Sequence, residues 1–346
     1  GVPLGFANAV PRGRVGIIAA SGTGLQQVAS LLAAGGEGIS EAIGVGGRDM
    51  SDAVGGLMTL AALDALGADA ATTLIAIVGK PPAPAVRRAV EERLREIGKP
   101  AVIGLLGGPP PASARPDADG LITTATTLED VSGAVLERLG RGPRRASPFT
   151  AGADAIRERV GREGAAPRAA PRGVRGLFAG GTLAHEALGL LESLLGPVAS
   201  NLRAPGPPTV HRVLDLGADE YTVGRAHPML DATTRVEEIR RAGADPAVAV
   251  LLLDVILGRG ASPDPAGELV PGIAAARAAA RSRGSGLAVV ASVVGTDGDP
   301  QGRSAQTAAL EAAGAWVLPS NAQAARAAAA IAGGEAVLAR LAGSAA

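Results

Sequence analysis

Short apolar runs alternate with longer segments of helical periodicity along most of the chain. The first run, Arg14–Ala20, is rich in β-branched residues and precedes the turn Ser21-Gly22-Thr23-Gly24 and a helical pattern over Leu25–Ala34. The apolar runs show no in/out alternation, which is typical of strands covered by helices on both faces. The sequence therefore predicts an α/β fold with parallel sheets.

The same alternation continues through two halves of the chain. In the first half it predicts strands at Glu41–Val45, Leu74–Val78 and Ala101–Leu106 and helices at Val54–Leu66, Pro84–Ile97 and Leu128–Leu139. In the second half it predicts strands at Gly176–Ala179, Arg212–Leu216, Val248–Val255, Ala288–Val294 and Ala315–Leu318, and helices at Leu183–Leu194, Arg235–Ala242, Ala266–Arg281, Ser304–Ala313 and Ala322–Ala332. A Gly/Pro/Arg-rich stretch over 140–172 predicts a linker with one short helix at Asp154–Val160. We therefore predict two tandem domains, 1–139 and 173–346.

Composition narrows the possible functions. The 33 Lys and Arg residues balance 33 Asp and Glu residues, and aromatic residues make up 1%, so we expect no nucleic-acid partner. The chain has no cysteine, which removes disulfides and thiolate chemistry and fits a cytoplasmic protein. No apolar run reaches the length of a membrane span, so we expect no membrane partner.

Two Gly/Thr turns are the candidate anion sites. Ser21, Gly22, Thr23 and Gly24 in the first half, and Gly180, Gly181 and Thr182 in the second, each lie where a strand passes into a helix. Backbone amides at a helix N-terminus bind phosphate, although Ser and Thr there can equally act only as helix caps. Because the turn occurs twice, we predict that the two helix N-termini hold one phosphate between them.

Other polar loops add candidates around this site. Gly47, Arg48 and Asp49 follow a predicted strand, where Arg48 can bind a substrate carboxylate or form a surface ion pair with Asp49 or Asp52. Further on, Arg225 and His227 lie in the loop 221–231, and His227 can act as a general acid or base or only bond the backbone. We predict catalytic roles for His227, Arg225 and Asp254 and substrate binding at Gly47, Arg48, Asp49, Ser320 and Asn321. Asp254 interrupts an apolar strand, so it either orients a ligand or pairs with a buried cation. No metal site is expected from three histidines without metal-ligand spacing.

The motifs GRVGIIAASGTGLQQV, AIGVGGRDMS, YTVGRAHPMLD, LLLDVILGRGASPDPAGEL and VVASVVGTDGDPQ resemble the FdrA family, which is similar to fused ligase-type domains of succinyl-CoA synthetase. The resemblance implies two flavodoxin-like domains that form an intramolecular pseudodimer, with residues 12–139 similar to the α-subunit ligase domain and 173–333 to that of the β subunit. It also implies that GVPLGFANAV ends a CoA-binding domain whose body is absent, so that CoA is not an expected ligand. The phosphorylated histidine of the synthetase is replaced here by Gly107-Gly108-Pro109-Pro110-Pro111.

The FdrA resemblance implies an oxamate carbamoyltransferase subunit of allantoin breakdown, a transferase in which phosphate attacks oxalurate to release oxamate and carbamoyl phosphate. It also implies heteromeric partner subunits, an oligomer, and a small carboxylate or ureido substrate, with phosphate or carbamoyl phosphate as the ligand. Two alternatives stay open: a component of an NDP-forming acyl-CoA synthetase, and a non-catalytic scaffold that binds phosphate.

Overall fold

The computed structural model describes residues 4–106, 115–142, 147–164 and 172–343. These residues divide into two compact units, 1–145 and 146–346, called here the first and the second unit. Gly107–Pro111, which replaces the histidine loop of the resembling family, lies outside the described residues. The predicted packing of the two domains into a pseudodimer stays a prediction.

The first unit alternates strands and helices as predicted. Its strands are β1 Arg12–Ala19, β2 Ile39–Gly44, β3 Leu74–Gly79, β4 Ala101–Leu105, β5 Arg115–Pro116 and β6 Ile122–Ala125, and its helices are α1 Gly22–Ala34, α2 Leu57–Ala68, α3 Pro84–Ile97 and α4 Leu128–Arg138. The strand order is β2-β1-β3-β4-β6-β5, all parallel except for the two-residue edge strand β5. Without β5 this is the flavodoxin-like order 2-1-3-4-5.

The second unit repeats the plan. Its strands are β7 Gly173–Phe178, β8 Ala199–Ser200, β9 Arg212–Asp215, β10 Val248–Ile256, β11 Ala288–Val294 and β12 Trp316–Leu318. Its helices are α5 Ala153–Gly164, α6 Gly181–Leu195, α7 Asp219–Thr222, α8 Thr233–Ala244, α9 Pro265–Ser282, α10 Arg303–Ala312, α11 Asn321–Gly333 and α12 Glu335–Gly343. The parallel order β8-β9-β7-β10-β11-β12 is again 2-1-3-4-5, with β8 as an additional edge strand. The predicted α/β class with two flavodoxin-like parallel sheets is confirmed.

Aliphatic side chains fill both cores. All nine residues of β10 and all six of β3 are buried, as expected for central parallel strands with helices on both faces. Parallel sheets present the ends of neighbouring strands at one edge, so each unit gathers the loops after its strands at a single carboxyl edge. This edge positions every candidate site residue discussed below.

The predicted linker contains a helix that belongs to the second unit. Helix α5 is longer than expected and packs on α11, burying Ile156 and Val160. Its Arg159 guanidinium lies 5.5 Å from the centre of the Trp316 ring in the edge strand β12. This helix therefore covers one edge of the second sheet, which blunts the tendency of a free edge to pair with other chains.

Candidate functional site

The first turn (Ser21–Gly24) and the second turn (Gly180–Thr182) occupy the same place in their units. The first turn follows β1, which lies between β2 and β3, and the second follows β7, which lies between β9 and β10. Matching backbone hydrogen bonds hold the two turns. These bonds are Leu25 N to Ser21 O (3.1 Å) and Ala184 N to Gly180 O (2.9 Å) in the turns, and Val45 N to Ala19 O (2.9 Å) and Leu216 N to Phe178 O (2.8 Å) beside them. The sequence pattern therefore identified two equivalent backbone structures.

The first turn keeps donors available for an anion. Ser21 is the N-cap of α1, and its Oγ accepts the amide N–H of Gly24 at 2.9 Å, as the capping alternative predicted. The amides of Gly22 and Thr23 donate to no group among the described residues, and the first turn of α1 carries no acidic residue. Capping and anion binding are thus compatible here, because the cap uses only one of the exposed amides.

Two cationic residues flank the first turn. Arg48 follows β2 and Lys80 follows β3, and both side chains are exposed. A Cβ placed on Gly47 would lie 3.8 Å from Ala20 O, and one on Gly79 would lie 3.3 Å from the Ala20 Cβ, so the loops on both sides touch the turn. Neither Arg48 nor Lys80 has an ion-pair partner within the described ranges. Open flavodoxin-like sheets bind ligands at this β1/β3 position.

A buried carboxylate of the protein itself lies beside the start of the second turn. Asp254 in β10 is fully buried, and its carboxylate accepts the amides of Ala179 (2.9 Å) and Gly180 (2.8 Å). Arg235 of α8, only 3% exposed, donates to Asp254 Oδ1 at 2.9 Å and to the Leu177 carbonyl at 3.1 Å. Burial lowers the pKa of Arg235, and the adjacent carboxylate opposes this. Asp254 is thus paired with a buried cation, one of the two alternatives left open, and its predicted catalytic role stays a prediction.

A second carboxylate lies on the same turn. Asp215, the last residue of β9, brings Oδ2 to 2.5 Å from the position of a Cβ on Gly181, and its Oδ1 accepts the Gly217 amide at 2.9 Å. A phosphate at the second turn would lie near the Asp215 carboxylate, whereas the charge of Asp254 is paired with Arg235. The Gly180 amide is already used by Asp254, and phosphate binding at Gly180 and Gly181 stays a prediction. The role of Thr182 stays a prediction.

The first unit lacks both carboxylates at the corresponding places. Ala19 is paired with Gly44 and Val78 in the first sheet, while in the second sheet Phe178 is paired with Asp215 and lies next to Asp254 by continuation of the β7–β10 register. Glycine and valine thus replace two acids beside otherwise equivalent turns. This difference in charge leads us to expect that an anion binds more favourably at the first turn than at the second.

His227 lies beside the second turn. Its Nδ1 accepts the Met229 amide at 3.2 Å, and its Nε2 would lie 2.6 Å from a Cβ on Gly217, so that only glycine fits there. Burial lowers the pKa of His227, an effect that Asp254 opposes and Arg235 reinforces. His227 is half-buried and Arg225 is exposed. The two contacts of His227 described above do not identify a ligand. Their catalytic roles stay predictions.

Three predicted substrate-binding residues have structural roles instead. Asp49 is buried and caps α2 from a distance, accepting the amides of Met58 and Thr59, each at 2.9 Å, so it is not the ion-pair partner of Arg48. Ser320 is the N-cap of α11, and the fully buried Asn321 donates to the Leu183 carbonyl at 2.9 Å. These side chains thus have structural contacts, and their predicted role in substrate binding stays a prediction.

Sequence reasoning missed Lys80, Asp215 and Arg235. Lys80 had a usable signal, since it directly follows a predicted strand at the sheet edge. Asp215 and Arg235 had none, because a charged residue near a strand end or within a helix is ordinary until the fold shows what lies against it. Within the described residues, no group of three or more His, Asp or Glu side chains is arranged to hold a metal ion.

Comparisons with known proteins define the class. Residues 11–105 match the family model for the CoA binding domain, and residues 177–331 match the model for CoA-ligase. The two matches lie in different halves of the chain, the CoA binding match in the first unit and the CoA-ligase match in the second. Among individual proteins, it is similar to the uncharacterized protein YahF of Escherichia coli (strain K12), at 37% identity over 337 residues, 93% of this chain and 62% of that protein.

Solved structures that cover a similar share of this chain are less similar to it in sequence. The acetyl-coenzyme A synthetase 1 of Ca. Korarchaeum cryptofilum, in complex with phosphate and ADP, is 16% identical, with 97% of this chain and 67% of that chain covered and a TM-score of 0.35. ATP citrate lyase of Methanosaeta concilii is 13% identical, with 96% and 50% covered and a TM-score of 0.30. At these scores the two likenesses carry no argument. No described helix is long and apolar enough to cross a membrane.

The comparisons support only the coarser part of several expectations. The first half, expected to be a ligase-type domain, matches a CoA binding domain over 11–105, so the expectation of a chain without CoA binding is not supported. The CoA-ligase match supports an enzyme of the ligase type and gives no support to a transferase. Neither match distinguishes the FdrA family from the wider class.

Proposed function

We propose that this chain is a component of an acyl-CoA ligase, an acid–thiol ligase of the succinyl-CoA synthetase-like class, and that its first unit binds the phosphate-bearing ligand. The ligand is CoA or a phosphate that enters the same reaction. The observation that carries the proposal is the first turn, with two available amides and no carboxylate, inside the segment that matches a CoA binding domain. Because the chain spans 62% of YahF, the complete reaction and its partners belong to the proposal as well.

Backbone amides of the first turn and side chains of the neighbouring loops would bind a phosphate together. The amides of Gly22 and Thr23 donate to phosphate oxygens, and the N-terminus of α1 adds about 0.3–1 kcal/mol for one negative charge. Arg48 and Lys80 neutralise the remaining charge from the two neighbouring loops, and a charge-assisted hydrogen bond contributes about 1.5–3 kcal/mol. When bound, CoA supplies the thiol that accepts the acyl group, whereas this chain supplies binding and orientation.

Carbamoyl transfer, the reaction that the FdrA resemblance implies, is the alternative. It would need phosphate as nucleophile and a proton donor for the departing nitrogen, the role expected of His227. No contact of His227 among the described residues favours that role, and its Nδ1 is already occupied by the backbone. The scaffold alternative predicts phosphate binding without any turnover. Heteromeric partner subunits are part of all three hypotheses.

Calorimetric titration of the full chain with CoA, and separately with inorganic phosphate, tests the proposal. We expect binding of CoA and about tenfold weaker binding in Arg48→Gln, because one charge-assisted contact is lost. Arg88→Gln is the matched control, an exposed arginine on α3 of the same unit and outside the candidate site, and should bind CoA as the wild type does. Absence of CoA and phosphate binding, or equal losses in the two variants, would reject the proposal.

Phosphorus NMR separates the reactions. Carbamoyl phosphate appearing from oxalurate and phosphate, in the presence of this chain and the proteins that copurify with it, would replace the ligase proposal with carbamoyl transfer. Binding of phosphate without either product would favour the scaffold.

A further inference from the structure

Three polar atoms converge on one point beside the second turn. The position of a Cβ on Gly217 lies 2.6 Å from His227 Nε2, 2.9 Å from the Ala179 carbonyl oxygen and 3.2 Å from Asp215 Oδ1. A glycine at 217 leaves room for all three atoms, whereas any other residue would displace them. This arrangement brings a histidine ring nitrogen and a carboxylate oxygen close together at the carboxyl edge of the second sheet.

The backbone determines which nitrogen of His227 carries the proton. Its Nδ1 accepts the Met229 amide at 3.2 Å, so this nitrogen presents a lone pair. Burial lowers the pKa of His227, so the ring is neutral near neutral pH and its proton lies on Nε2. Within the described ranges Nε2 has no hydrogen-bond partner, and it is not fully buried. His227 therefore has one N–H donor available to a ligand.

The loop around His227 holds the ring in this orientation. The His227 carbonyl accepts the amides of Leu230 at 2.8 Å and Asp231 at 3.2 Å, which closes a tight turn. The Ser262 amide donates to the Met229 carbonyl at 2.8 Å and so joins this turn to the loop after β10. The N–H donor on Nε2 thus has a defined direction, as is typical of a preformed binding site.

Asp215 supplies an acceptor next to this donor. The Asn201 side chain bonds the backbone of Asp215 at both its N–H and its carbonyl, each at 2.9 Å. The Asp215 carboxylate accepts the Gly217 amide through Oδ1 at 2.9 Å, and Oδ2 lies 2.5 Å from the position of a Cβ on Gly181. A carboxylate has about four acceptor positions, so it can accept a ligand N–H in addition to its contacts within the protein.

A fixed N–H donor beside a fixed carboxylate selects a ligand by its hydrogen-bonding groups. A phosphate or a carboxylate would accept from His227 but would meet the charge of Asp215. An ammonium group would donate to Asp215 but would leave the His227 donor unpaired. A primary amide satisfies both side chains, because its carbonyl oxygen and one of its N–H groups lie side by side.

We propose that the second unit has a binding site of its own beside the second turn, where His227 Nε2–H and the Asp215 carboxylate bind a neutral primary amide group. His227 acts there as a hydrogen-bond donor and not as an acid or a base. The two turns then differ in the ligand that they take, since the cations beside the first turn favour an anion.

Nuclear magnetic resonance of the full chain with acetamide and with acetate tests this site, because the two molecules share a shape and differ in charge. We expect acetamide to shift the His227 ring signals and the Gly217 amide signal, with affinity in the millimolar range for so small a ligand. Acetate at the same concentration should shift neither. His211 is the internal control: its Nδ1 also accepts a backbone amide, that of Val174 at 3.2 Å, but it lies at the opposite end of β9.

Variants of the two side chains separate binding from structure. Asp215→Asn keeps the shape without the charge, so it should bind acetate about as well as acetamide. His227→Ala should weaken acetamide binding about tenfold, measured at the Gly217 signal, and His227→Gln, which keeps a side-chain N–H, should weaken it less. A His227 proton found on Nδ1, no acetamide shift at His227, an equal shift at His211, or acetate bound as well as acetamide by the wild type would each overturn the proposal.

Discussion

The two glycine turns share a backbone but differ in charge. The first turn has a serine cap, two available amides and flanking cations, whereas beside the second Asp254 accepts the amides of Ala179 and Gly180 and Asp215 lies against Gly181. The neighbouring positions in the first sheet are Val78 and Gly44. The comparison teaches that a strand, a Gly/Thr turn and a helix define a place for an anion, while residues on adjacent strands decide whether that place is open.

Asp254 stands where an external anion would otherwise bind. Its carboxylate takes two amide hydrogen bonds and one guanidinium contact, the same kind of donors that a phosphate would use. The second turn therefore contributes to the stability of its unit, and the first turn is left for the ligand. The predicted grip of one phosphate by both turns finds no support in the second turn.

The largest expected effect is on the stability of the second unit. Asp254→Ala leaves the Arg235 charge and two amides unpaired in the interior, so the free energy of unfolding should fall by about 3–5 kcal/mol. Urea unfolding followed by circular dichroism measures it. The control is Asp52→Ala, an exposed carboxylate in the first unit, which should change stability by less than about 0.5 kcal/mol. A loss below about 1 kcal/mol for Asp254→Ala would contradict the structural role.

An intermediate effect is expected when the acid of the second unit is placed in the first. Gly44 is exposed and a Cβ there meets no atom within 4 Å, so Gly44→Asp introduces the counterpart of Asp215 without a clash. Calorimetry should show about tenfold weaker binding of inorganic phosphate or CoA, or about 1.4 kcal/mol, from like-charge repulsion. Gly44→Asn keeps the shape without the charge and should bind normally. If both variants bind equally, carboxylates do not distinguish the two turns.

The smallest effect concerns pH. All three histidines belong to the second unit, and burial lowers the pKa of His227 and His211 below the usual 6.5. The folded chain then holds fewer protons than the unfolded chain, so stability is complete above the unfolded pKa and falls as pH drops towards the lowered pKa. We expect less than about 1 kcal/mol between about pH 8 and pH 5.5, since both residues are only partly buried.

Urea unfolding of the double variant His227→Gln, His211→Gln should show a flatter pH dependence over that range than the wild type. An unchanged dependence would mean that other groups cause it and that burial of these rings is not reflected in protonation.

The strength of the sequence prediction varied with the kind of feature. Long central elements were predicted closely: Pro84–Ile97 and Ala288–Val294 match the structure at both ends, because their periodicity extends over several turns or a full buried strand. The four-residue strand Ile122–Ala125 was missed, since ITTA is too short and too polar to stand out, yet it completes the first sheet. Helix Ala153–Gly164 was predicted only in part because it lies within a Gly/Pro/Arg-rich stretch.

The site was less predictable than the fold. Ser21 and the turn around it could be found because a strand, two glycines and a helix are contiguous in sequence. Asp49, Ser320 and Asn321 lie at the carboxyl edge of their sheets. However, Asp49 and Ser320 cap helices, and Asn321 is fully buried. Position at the sheet edge was predictable, whereas availability to a ligand was not.

The sequence by itself determined the two parallel sheets and the location of both turns, because these depend on hydrophobic periodicity and on residues a few positions apart. Only the tertiary structure placed Asp254, which is more than 70 residues away along the chain, against the amides of Ala179 and Gly180 at the start of the second turn. Electrostatic interactions depend on distance in space, and that distance is set by the pairing of strands far apart in sequence.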